Sequence, residues 1–305
     1  MKKEAIQISS LEYSYPDGKK ALNNVNMKIF EGEKVTIMGP NGAGKTTLLL
    51  NINGTVKNPS PSVSIFGKSI SSMDIVERIQ NVGVVFEDPD DQLFMPTVYD
   101  DVAFGPANMG LSKDEVDERV RDALLRVGME GYGAHVPHHL SSGQKKKVAI
   151  AAVISMHPRI IVLDEPTANL DPKSKSELIN LLEKLNKDKN TTIITVTHDV
   201  NTISRLADRI YVLNQTVVAE GTPYEIFSNK ELLAGHNLES PDTLQLFHML
   251  AHLGYRCNQH PLSVNEAAEN LICTMEENNN LIQLNMNSSA YENIKQLTKL
   301  QTDND

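Results

Sequence analysis

The sequence contains no tryptophan and only two cysteines among its 305 residues, and aromatic residues make up just 5% of it. Cys257 and Cys273 match no metal-ligand spacing and are too few for a disulfide framework. A small disulfide-stapled scaffold is therefore excluded, and both cysteines are expected to be reduced thiols in a reducing compartment.

Long apolar runs and an excess of positive charge are also lacking. No apolar run reaches the roughly 18–20 residues that a membrane-spanning helix needs, and the charged start Met1–Glu4 leads into strand-like alternation without a signal-peptide pattern. The formal net charge is −10, which argues against a sequence-independent nucleic-acid binder. We expect a soluble protein that reaches a membrane only through partners.

Buried-strand patterns alternate with helical ones in the first two thirds of the chain. Three apolar, β-branched runs read as strands: Val82–Phe86, Arg159–Leu163 and Thr191–Val196. Helices are predicted over 112–128, where Ser112 precedes an acid three positions on, and over Ser174–Lys187. This alternation predicts an α/β fold with a largely parallel central sheet.

The pattern changes after Gly221, which places a domain shift near 221–240. Amphipathic helices are predicted at 223–233, 241–253 and 263–275. We expect a main domain over 1–225, a small extension over 226–278, and a polar, Asn-rich and partly disordered tail over 279–305.

A glycine-rich loop with the pattern G-x-x-x-x-G-K-[ST] follows the strand-like run Glu33–Met38 and precedes a Leu-rich helix. It consists of Gly39, Pro40, Asn41, Gly42, Ala43, Gly44, Lys45, Thr46 and Thr47. The glycines let several N–H groups converge on one anion, and the helix adds its positive end. Lys45 is expected to reach the β/γ-phosphates and Thr46 to ligate Mg²⁺, so the chain is predicted to bind a nucleoside triphosphate.

A second constellation follows the strand Arg159–Leu163, which delivers Asp164 and Glu165 to the carboxyl end of the sheet. Asp164 is expected to hold Mg²⁺ through water. Glu165 is expected to face the γ-phosphate as a general base or water-orienting group.

Three further motifs narrow the class of nucleotide-binding protein. Ser141, Ser142, Gly143 and Gln144 begin a helix, His198 follows the strand Thr191–Val196, and Asp171 closes Ala168–Asp171. Together with the loop and the Asp-Glu pair, they resemble the ATP-binding-cassette (ABC) ATPases over residues 4 to about 225. The resemblance implies a P-loop NTPase fold of a parallel-rich sheet core, a β subdomain and a helical signature subdomain over about 87–157, followed by a small helical or α+β C-terminal extension.

The resemblance also implies residue roles. Tyr15 would stack on adenine, and His198 would contact the γ-phosphate. The signature at 141–144 would bind the γ-phosphate of ATP held by the opposite subunit, and Asp171 would lie in the loop that crosses the dimer interface. One nucleotide loop and one signature per chain then require a head-to-tail homo- or heterodimer with two ATP molecules and Mg²⁺.

Residues 82–106 are similar to the energy-coupling-factor (ECF) importers, and most closely to their cobalt/nickel ATP-binding subunits. In that group the segment after Phe86 docks a coupling helix of a transmembrane coupling protein, and a separate membrane subunit binds the substrate. The resemblance implies a peripheral ATPase on the cytoplasmic face of the cell membrane. Segments 241–254 and 261–271 weakly resemble an appended domain that holds two ATPase subunits together.

Some positions depart from the family or stay open. Glu87 stands where the family usually has a Mg²⁺-ligating Gln, and we expect it to ligate Mg²⁺ with altered coupling. Ser142 replaces the more usual Gly, with little effect expected. His135, His138 and His139 form either a solvated loop or a metal site.

Other functions remain open at this point. The chain could serve a vitamin-importing ECF transporter or another ABC transporter class. A DNA-repair ABC ATPase would carry a long coiled coil between Lys45 and Asp164, and a translation-factor type would carry two cassettes; the sequence shows neither.

Overall fold

The computed structural model describes residues 3–56, 58, 61–257, 259–277, 282 and 284. The predicted tail over 279–305 lies outside the described residues, apart from Ile282 and Leu284. None of the helices in the described ranges is long and apolar enough to cross a membrane.

Within the described residues, ten strands and eleven α-helices follow one another, with three short 3-10 helices between them. The strands are β1 (Glu4–Ser14), β2 (Lys20–Phe30), β3 (Lys34–Met38), β4 (Val63–Ile65), β5 (Lys68–Ser69), β6 (Val82–Val85), β7 (Ile160–Asp164), β8 (Thr192–Val196), β9 (Arg209–Asn214) and β10 (Thr216–Gly221). The helices are α1 (Lys45–Ile52), α2 (Ile75–Asn81), α3 (Val98–Asn108), α4 (Lys113–Arg126), α5 (Ser142–Ile154), α6 (Pro172–Lys189), α7 (Val200–Leu206), α8 (Pro223–Ser228), α9 (Lys230–Gly235), α10 (Asp242–His252) and α11 (Val264–Glu277).

The central sheet has six strands in the order β10-β9-β3-β8-β7-β6. Its pairings are parallel except for β10, which pairs antiparallel with β9. Every residue of β7 and β8 is buried, as expected for parallel strands covered on both faces. The predicted α/β fold with a largely parallel sheet is confirmed.

A second, antiparallel sheet has the order β2-β1-β4-β5. Pro16 and Gly18 lie in the turn between β1 and β2, where Gly18 takes a φ of 85°. Its inner residues share one apolar core with β3 and α1, including Ile6, Ile37 and Leu48.

Helices α3, α4 and α5 pack around a separate apolar core that extends to α6. Helix α4 starts with the capping box expected at Ser112, because the side chain of Ser112 accepts from the amide of Glu115 and the Glu115 carboxylate accepts from the amide of Ser112. This helical layer lies in the sequence between β6 and β7, within the predicted range of 87–157.

Two sequence predictions need local correction. The strand predicted over Val82–Phe86 ends at Val85, and the side chain of Phe86 is 40% exposed. The single helix predicted over 223–233 is two helices, α8 and α9. The break occurs at Asn229, whose side-chain oxygen accepts from the amide of Leu232 at 3.0 Å and so caps a new helix.

The chain divides into two compact units: residues 1–199 with 205–222, and residues 200–204 with 223–305. Among its described residues, the second unit holds α8–α11 and a small core of Phe247, Tyr255 and Ala267. The hydroxyl group of Tyr255 lies 2.9 Å from Oγ1 of Thr274, which ties the loop after α10 to α11.

Candidate nucleotide-binding and hydrolysis site

The glycine-rich loop lies between β3 and α1, and parts of its backbone pack closely against neighbouring segments. Gly42 and Gly44 take φ values of 79° and 95°, which favour glycine. A Cβ atom on Gly39 would lie 2.0 Å from the carbonyl oxygen of Leu213, and one on Gly44 would lie 2.5 Å from that of Ala21. The loop can therefore close around an anion only with glycine at these positions.

Helix α1 begins without a side-chain cap from any described residue, and Gly44 occupies its N-cap position. Its first amides are therefore available to an anion, as a phosphate cradle requires. Nζ of Lys45 donates to the carbonyl oxygens of Gly39 at 2.8 Å and Pro40 at 3.0 Å. Burial lowers the pKa of Lys45, while the charges of Glu165 and Asp164 oppose this effect.

Asp164 and Thr46 meet at the end of β7. Oγ1 of Thr46 donates to Oδ2 of Asp164 at 3.2 Å. Burial raises the pKa of Asp164; the bond from Thr46 opposes this, and the negative charges of Glu165 and Glu87 add to the rise. A cation at this point would relieve the crowding of negative charge.

The donor set fits Mg²⁺, which prefers oxygen ligands and takes few of them from protein when phosphates and waters complete its shell. Thr46, Asp164 and Glu87 offer a hydroxyl and two carboxylates around one cleft. No group of three His, Cys, Asp or Glu side chains within the described ranges forms a closed metal cage. An open site shared with a phosphate is the arrangement that these residues support.

Glu165 has both of its carboxylate oxygens engaged. Oε1 lies 2.8 Å from Nδ1 of His198, and Oε2 accepts from Oγ1 of Thr197 at 3.1 Å. The backbone of Glu165 has a φ of 40°, which is uncommon for a non-glycine residue and typical of strained functional positions. The side chain of Glu165 is 11% exposed and that of His198 is 78% exposed, so the pair reaches from the buried strand end to the surface.

Tyr15 is anchored beside the loop by its hydroxyl group. This group lies 2.7 Å from Oγ1 of Thr47, and the ring packs edge-to-face on Tyr13 with centroids 5.4 Å apart. The side chain remains 39% exposed, which leaves part of the ring open to a planar ligand.

A cleft of about 510 Å³ connects the Asp164 side of the site with the start of α5. Its lining includes Thr46, Glu87, Ser142, Lys146 and Asp164. Thr46 is the one member of the glycine-rich loop among its described lining residues, and Ser141 does not line it. The cleft therefore runs from the predicted metal-binding groups to Ser142 at the start of α5.

The signature residues lie at the N-terminus of α5 and form a complete capping box. Oγ of Ser141 accepts from the amide of Gln144 at 3.3 Å, and Oε1 of Gln144 accepts from the amide of Ser141 at 3.0 Å. Ser141 and Ser142 are exposed, whereas Gly143 is buried against Ser174 at the start of α6. The signature serines thus point to the protein surface.

Asp171 caps helix α6. Its Oδ1 accepts from the amides of Lys173 at 3.0 Å and Ser174 at 3.1 Å, and Oδ2 accepts from Oγ of Ser174 at 2.6 Å. The hydrogen bond from the Ser174 side chain is the main reason that the pKa of Asp171 is lowered. Asp171 is exposed, so its segment is accessible to a second chain.

The loop histidines do not converge. Nδ1 of His138 lies 3.6 Å from Oδ1 of Asp90, and the ring of His135 packs on Tyr132 with centroids 4.8 Å apart. Within the described ranges these histidines form no metal-holding group. The arrangement favours the solvated-loop interpretation.

Lys146 is a site residue that sequence reasoning missed. Its side chain is 2% exposed, and its Nζ donates to the carbonyl oxygens of Phe86 and Glu87. The only sequence signal was a lysine within a run of three at the start of α5, and such runs are normally solvated.

Comparison with known proteins identifies the family. A family model described as ABC transporter matches residues 22–168. The energy-coupling factor transporter ATP-binding protein EcfA of Methanothermobacter thermautotrophicus is 47% identical over 270 residues, which are 88% of this chain and 86% of that protein. EcfA of Methanococcus maripaludis is 48% identical over 248 residues, 80% of this chain and 89% of that protein.

Solved structures show the same fold. The structure of cbiO1 from Clostridium perfringens, part of the ABC transporter complex cbiONQ, aligns with a TM-score of 0.68 and 42% identity over 77% of this chain and 95% of that one. A dimeric ATP-binding cassette bound to ADP and Pi aligns with a TM-score of 0.64 and 31% identity over 72% and 98%. The chain therefore belongs to the ABC transporter ATPases, as an ATP-hydrolysing subunit of the energy-coupling-factor type.

Proposed function

We propose that this chain powers the import of cobalt or nickel ions from the cytoplasmic face of the cell membrane, as one ATPase of a head-to-tail dimer bound to membrane partners. The main observation that supports a dimer is that one chain holds two different half-sites, one at the start of α1 and one at the start of α5. The phosphate cradle at the start of α1 is open, and the signature at the start of α5 is exposed, with Ser141 outside the lining of the cleft that reaches Thr46.

Each half-site supplies what the other lacks. The amides at the start of α1, with Lys45 and Thr46, hold the nucleotide and its Mg²⁺, while Ser141 of a second chain contacts the γ-phosphate from outside. Likeness to a dimeric cassette bound to ADP and Pi supports this arrangement. ATP then stabilises the closed dimer, and hydrolysis removes the contacts that the γ-phosphate makes.

The hydrolytic step is assigned to Glu165. Its carboxylate takes a proton from the attacking water as general base, and His198, 2.8 Å away, orients that carboxylate and contacts the γ-phosphate. Thr46, Asp164 and Glu87 would hold Mg²⁺, which when bound would neutralise the charge that develops on the phosphates. Tyr15 stacks on the adenine ring.

The surface for the membrane partner is assigned to the segment after Phe86. Phe94 and Phe104 pack edge-to-face with centroids 5.1 Å apart and are 62% and 45% exposed. Oδ1 of the buried Asp101 accepts from the amides of Phe94 at 3.1 Å and Met95 at 3.0 Å, which fixes the turn that presents Phe94. This apolar pair fits an amphipathic helix of a membrane protein.

The cobalt/nickel assignment rests on the resemblance of residues 82–106 and on the 42% identity to cbiO1. A vitamin is the alternative substrate, because the ion or molecule is selected by a separate membrane subunit. An ATPase outside transport is a further alternative, and it would not need the apolar pair.

Complementation between two inactive variants tests the shared site. Lys45→Ala and Ser141→Arg each inactivate both sites of a homodimer, but a mixed dimer keeps one intact site formed by Lys45 of one chain and Ser141 of the other. We expect each mixed dimer to recover up to about half of the ATPase activity of a wild-type dimer, because one of its two sites is intact. No recovery in a mixture shown to form mixed dimers would contradict the shared site.

Uptake into proteoliposomes tests the substrate. The chain is co-purified with its membrane partners, and uptake of radioactive cobalt, nickel and a vitamin is compared with and without ATP. We expect ATP-dependent uptake of a metal ion. Uptake of the vitamin alone would assign the chain to that branch, and purification without a membrane partner, together with ATPase stimulation by DNA or ribosomes, would contradict a transport role.

A further inference from the structure

Lys146 is a buried cation within the described part of the chain whose position stability alone does not explain. Its side chain is 2% exposed, and no carboxylate of the described residues forms an ion pair with it. Burying a charge is costly unless it is paired, whereas an apolar side chain of similar length would fill the same space without that cost. The ammonium group must therefore serve another purpose.

The partners of Lys146 identify that purpose. Its Nζ donates to the carbonyl oxygens of Phe86, at 3.1 Å, and of Glu87. Burial lowers the pKa of Lys146, and the charge of Glu87 is the largest effect that opposes this. Lys146 thus holds the backbone from which the Glu87 side chain enters the cleft beside Thr46 and Asp164.

Other contacts attach the same segment to α5. Nζ of Lys145 donates to both carboxylate oxygens of Asp90, at 2.7 and 2.9 Å, and Nε2 of Gln92 donates to the carbonyl oxygen of Ala149 at 3.2 Å. Gln92 also accepts from the amide of Phe86 at 3.3 Å through Oε1. Residues 86–92 are therefore fastened along the first two turns of the helix that begins with the signature.

We propose that Lys146 is a positioning residue that couples the signature helix α5 to Glu87. Its ammonium group keeps the Glu87 carboxylate in the cleft only while α5 is seated against residues 86–92. A displacement of the signature by a partner chain is thereby transmitted to the groups that hold Mg²⁺. This inference rests on the proposed role of Glu87 in ATP hydrolysis.

The test uses Lys146→Met in the full chain, which keeps the packing and removes the charge. We expect kcat for ATP hydrolysis to fall by about tenfold or more while KM for ATP changes by less than about threefold, because Lys45, Thr46 and Tyr15 are untouched. Amides of residues 86–92 should exchange hydrogen faster than in the wild type. ATP affinity measured without turnover should stay near the wild-type value.

The control is Lys147→Met on the same helix. Lys147 pairs with Glu177 at 2.6 Å and touches neither residue 86 nor residue 87, so the variant should keep wild-type kinetics. If Lys146→Met does not fold, Lys146→Gln replaces it; its amide can still donate to one carbonyl, so a smaller fall in kcat is expected.

A double-mutant cycle with Glu87→Ala separates positioning from a general structural effect. If Lys146 acts through Glu87, the double variant should be no slower than the slower single variant. Multiplied losses, or wild-type kcat in Lys146→Met, would overturn the inference. A wild-type kcat in Glu87→Ala alone would instead defeat the proposed role of Glu87.

Discussion

The N-termini of helices α1 and α5 are both predicted anion sites, but the structure prepares them in opposite ways. Helix α1 starts at a left-handed glycine with no side-chain cap from the described residues, and its loop is packed against Leu213 and Ala21. Helix α5 starts with a complete capping box formed by Ser141 and Gln144 and exposes its serines.

This difference in capping indicates which of the two half-sites is prepared to bind phosphate without a partner chain. The first amides of α1 are open to an external anion, since no side chain of the described residues caps them. The start of α5 is satisfied by its own side chains, and the proposed function assigns it to the phosphate held by a second chain. We therefore expect a phosphate-binding loop at the start of α1 and an interface element at the start of α5.

The largest expected effect is on the rate of ATP hydrolysis at the α1 half-site, and it should leave ATP binding there intact. Glu165→Gln keeps the shape of the side chain and its contact with Thr197 but removes the base. We expect kcat for ATP hydrolysis to fall on the order of 1,000-fold, with ATP affinity nearly unchanged. Single-turnover hydrolysis and equilibrium nucleotide binding measure the two quantities, and a turnover close to the wild-type rate would refute the role of Glu165.

Lys45→Ala and Ser141→Ala test the comparison directly. Lys45→Ala removes a charged donor to the phosphates and should weaken ATP binding to the single chain on the order of 100-fold. Ser141→Ala should leave single-chain affinity unchanged and lower the free energy of unfolding by about 1 kcal/mol through loss of the helix cap. Titration with a fluorescent nucleotide at low protein concentration, with Lys68→Ala as the surface control, checks both; equal losses would contradict two unlike half-sites.

Replacing a glycine by alanine should destabilise the fold more at the α1 half-site than at the α5 half-site. A Cβ on Gly39 meets a backbone oxygen that cannot move, so Gly39→Ala should cost about 3 kcal/mol of folding free energy and abolish ATP binding. A Cβ on Gly143 would lie 2.7 Å from Oγ and 3.1 Å from Cβ of Ser174, so Oγ would have to rotate away and lose its hydrogen bond to Asp171. Gly143→Ala should therefore cost about 1 kcal/mol. Denaturant unfolding measures both, with Gly235→Ala as the control because open space surrounds that position.

Much of this arrangement could be predicted from sequence because it depends on local chemistry. The loop at 39–47 needs glycine for its backbone, and the runs before Asp164 and His198 are strands that are buried on both faces. Parallel strands end at the same edge, so the meeting of Asp164 with Thr46 followed from the pattern.

Contacts between distant segments that do not share a sheet edge could not be predicted. The pairing of His198 with Glu165 and the bond from Tyr15 to Thr47 depend on tertiary geometry that no spacing encodes. Lys146 looks like a solvated lysine because its neighbours are lysines, and only the path of residues 86–92 across α5 buries it. The break at Asn229 was missed because a single polar residue does not interrupt an amphipathic pattern.

The smallest expected effect is on the pH dependence of stability in the C-terminal unit, where burial lowers the pKa of a histidine. The rings of His248 and His260 lie 4.9 Å apart, and burial lowers the pKa of His248 from 6.5 to about 4, with Lys230, His260 and His252 adding repulsion. Between about pH 6.5 and 4, His248 therefore binds a proton in the unfolded chain but not in the folded chain. The free energy of unfolding consequently falls as the pH drops through this window, and it is unaffected above it. Between pH 7.5 and 5.0, Tm of the wild type should fall about 1–3 °C further than that of His248→Gln. Identical pH dependence in the two proteins, measured by thermal unfolding, would show that His248 carries no such penalty.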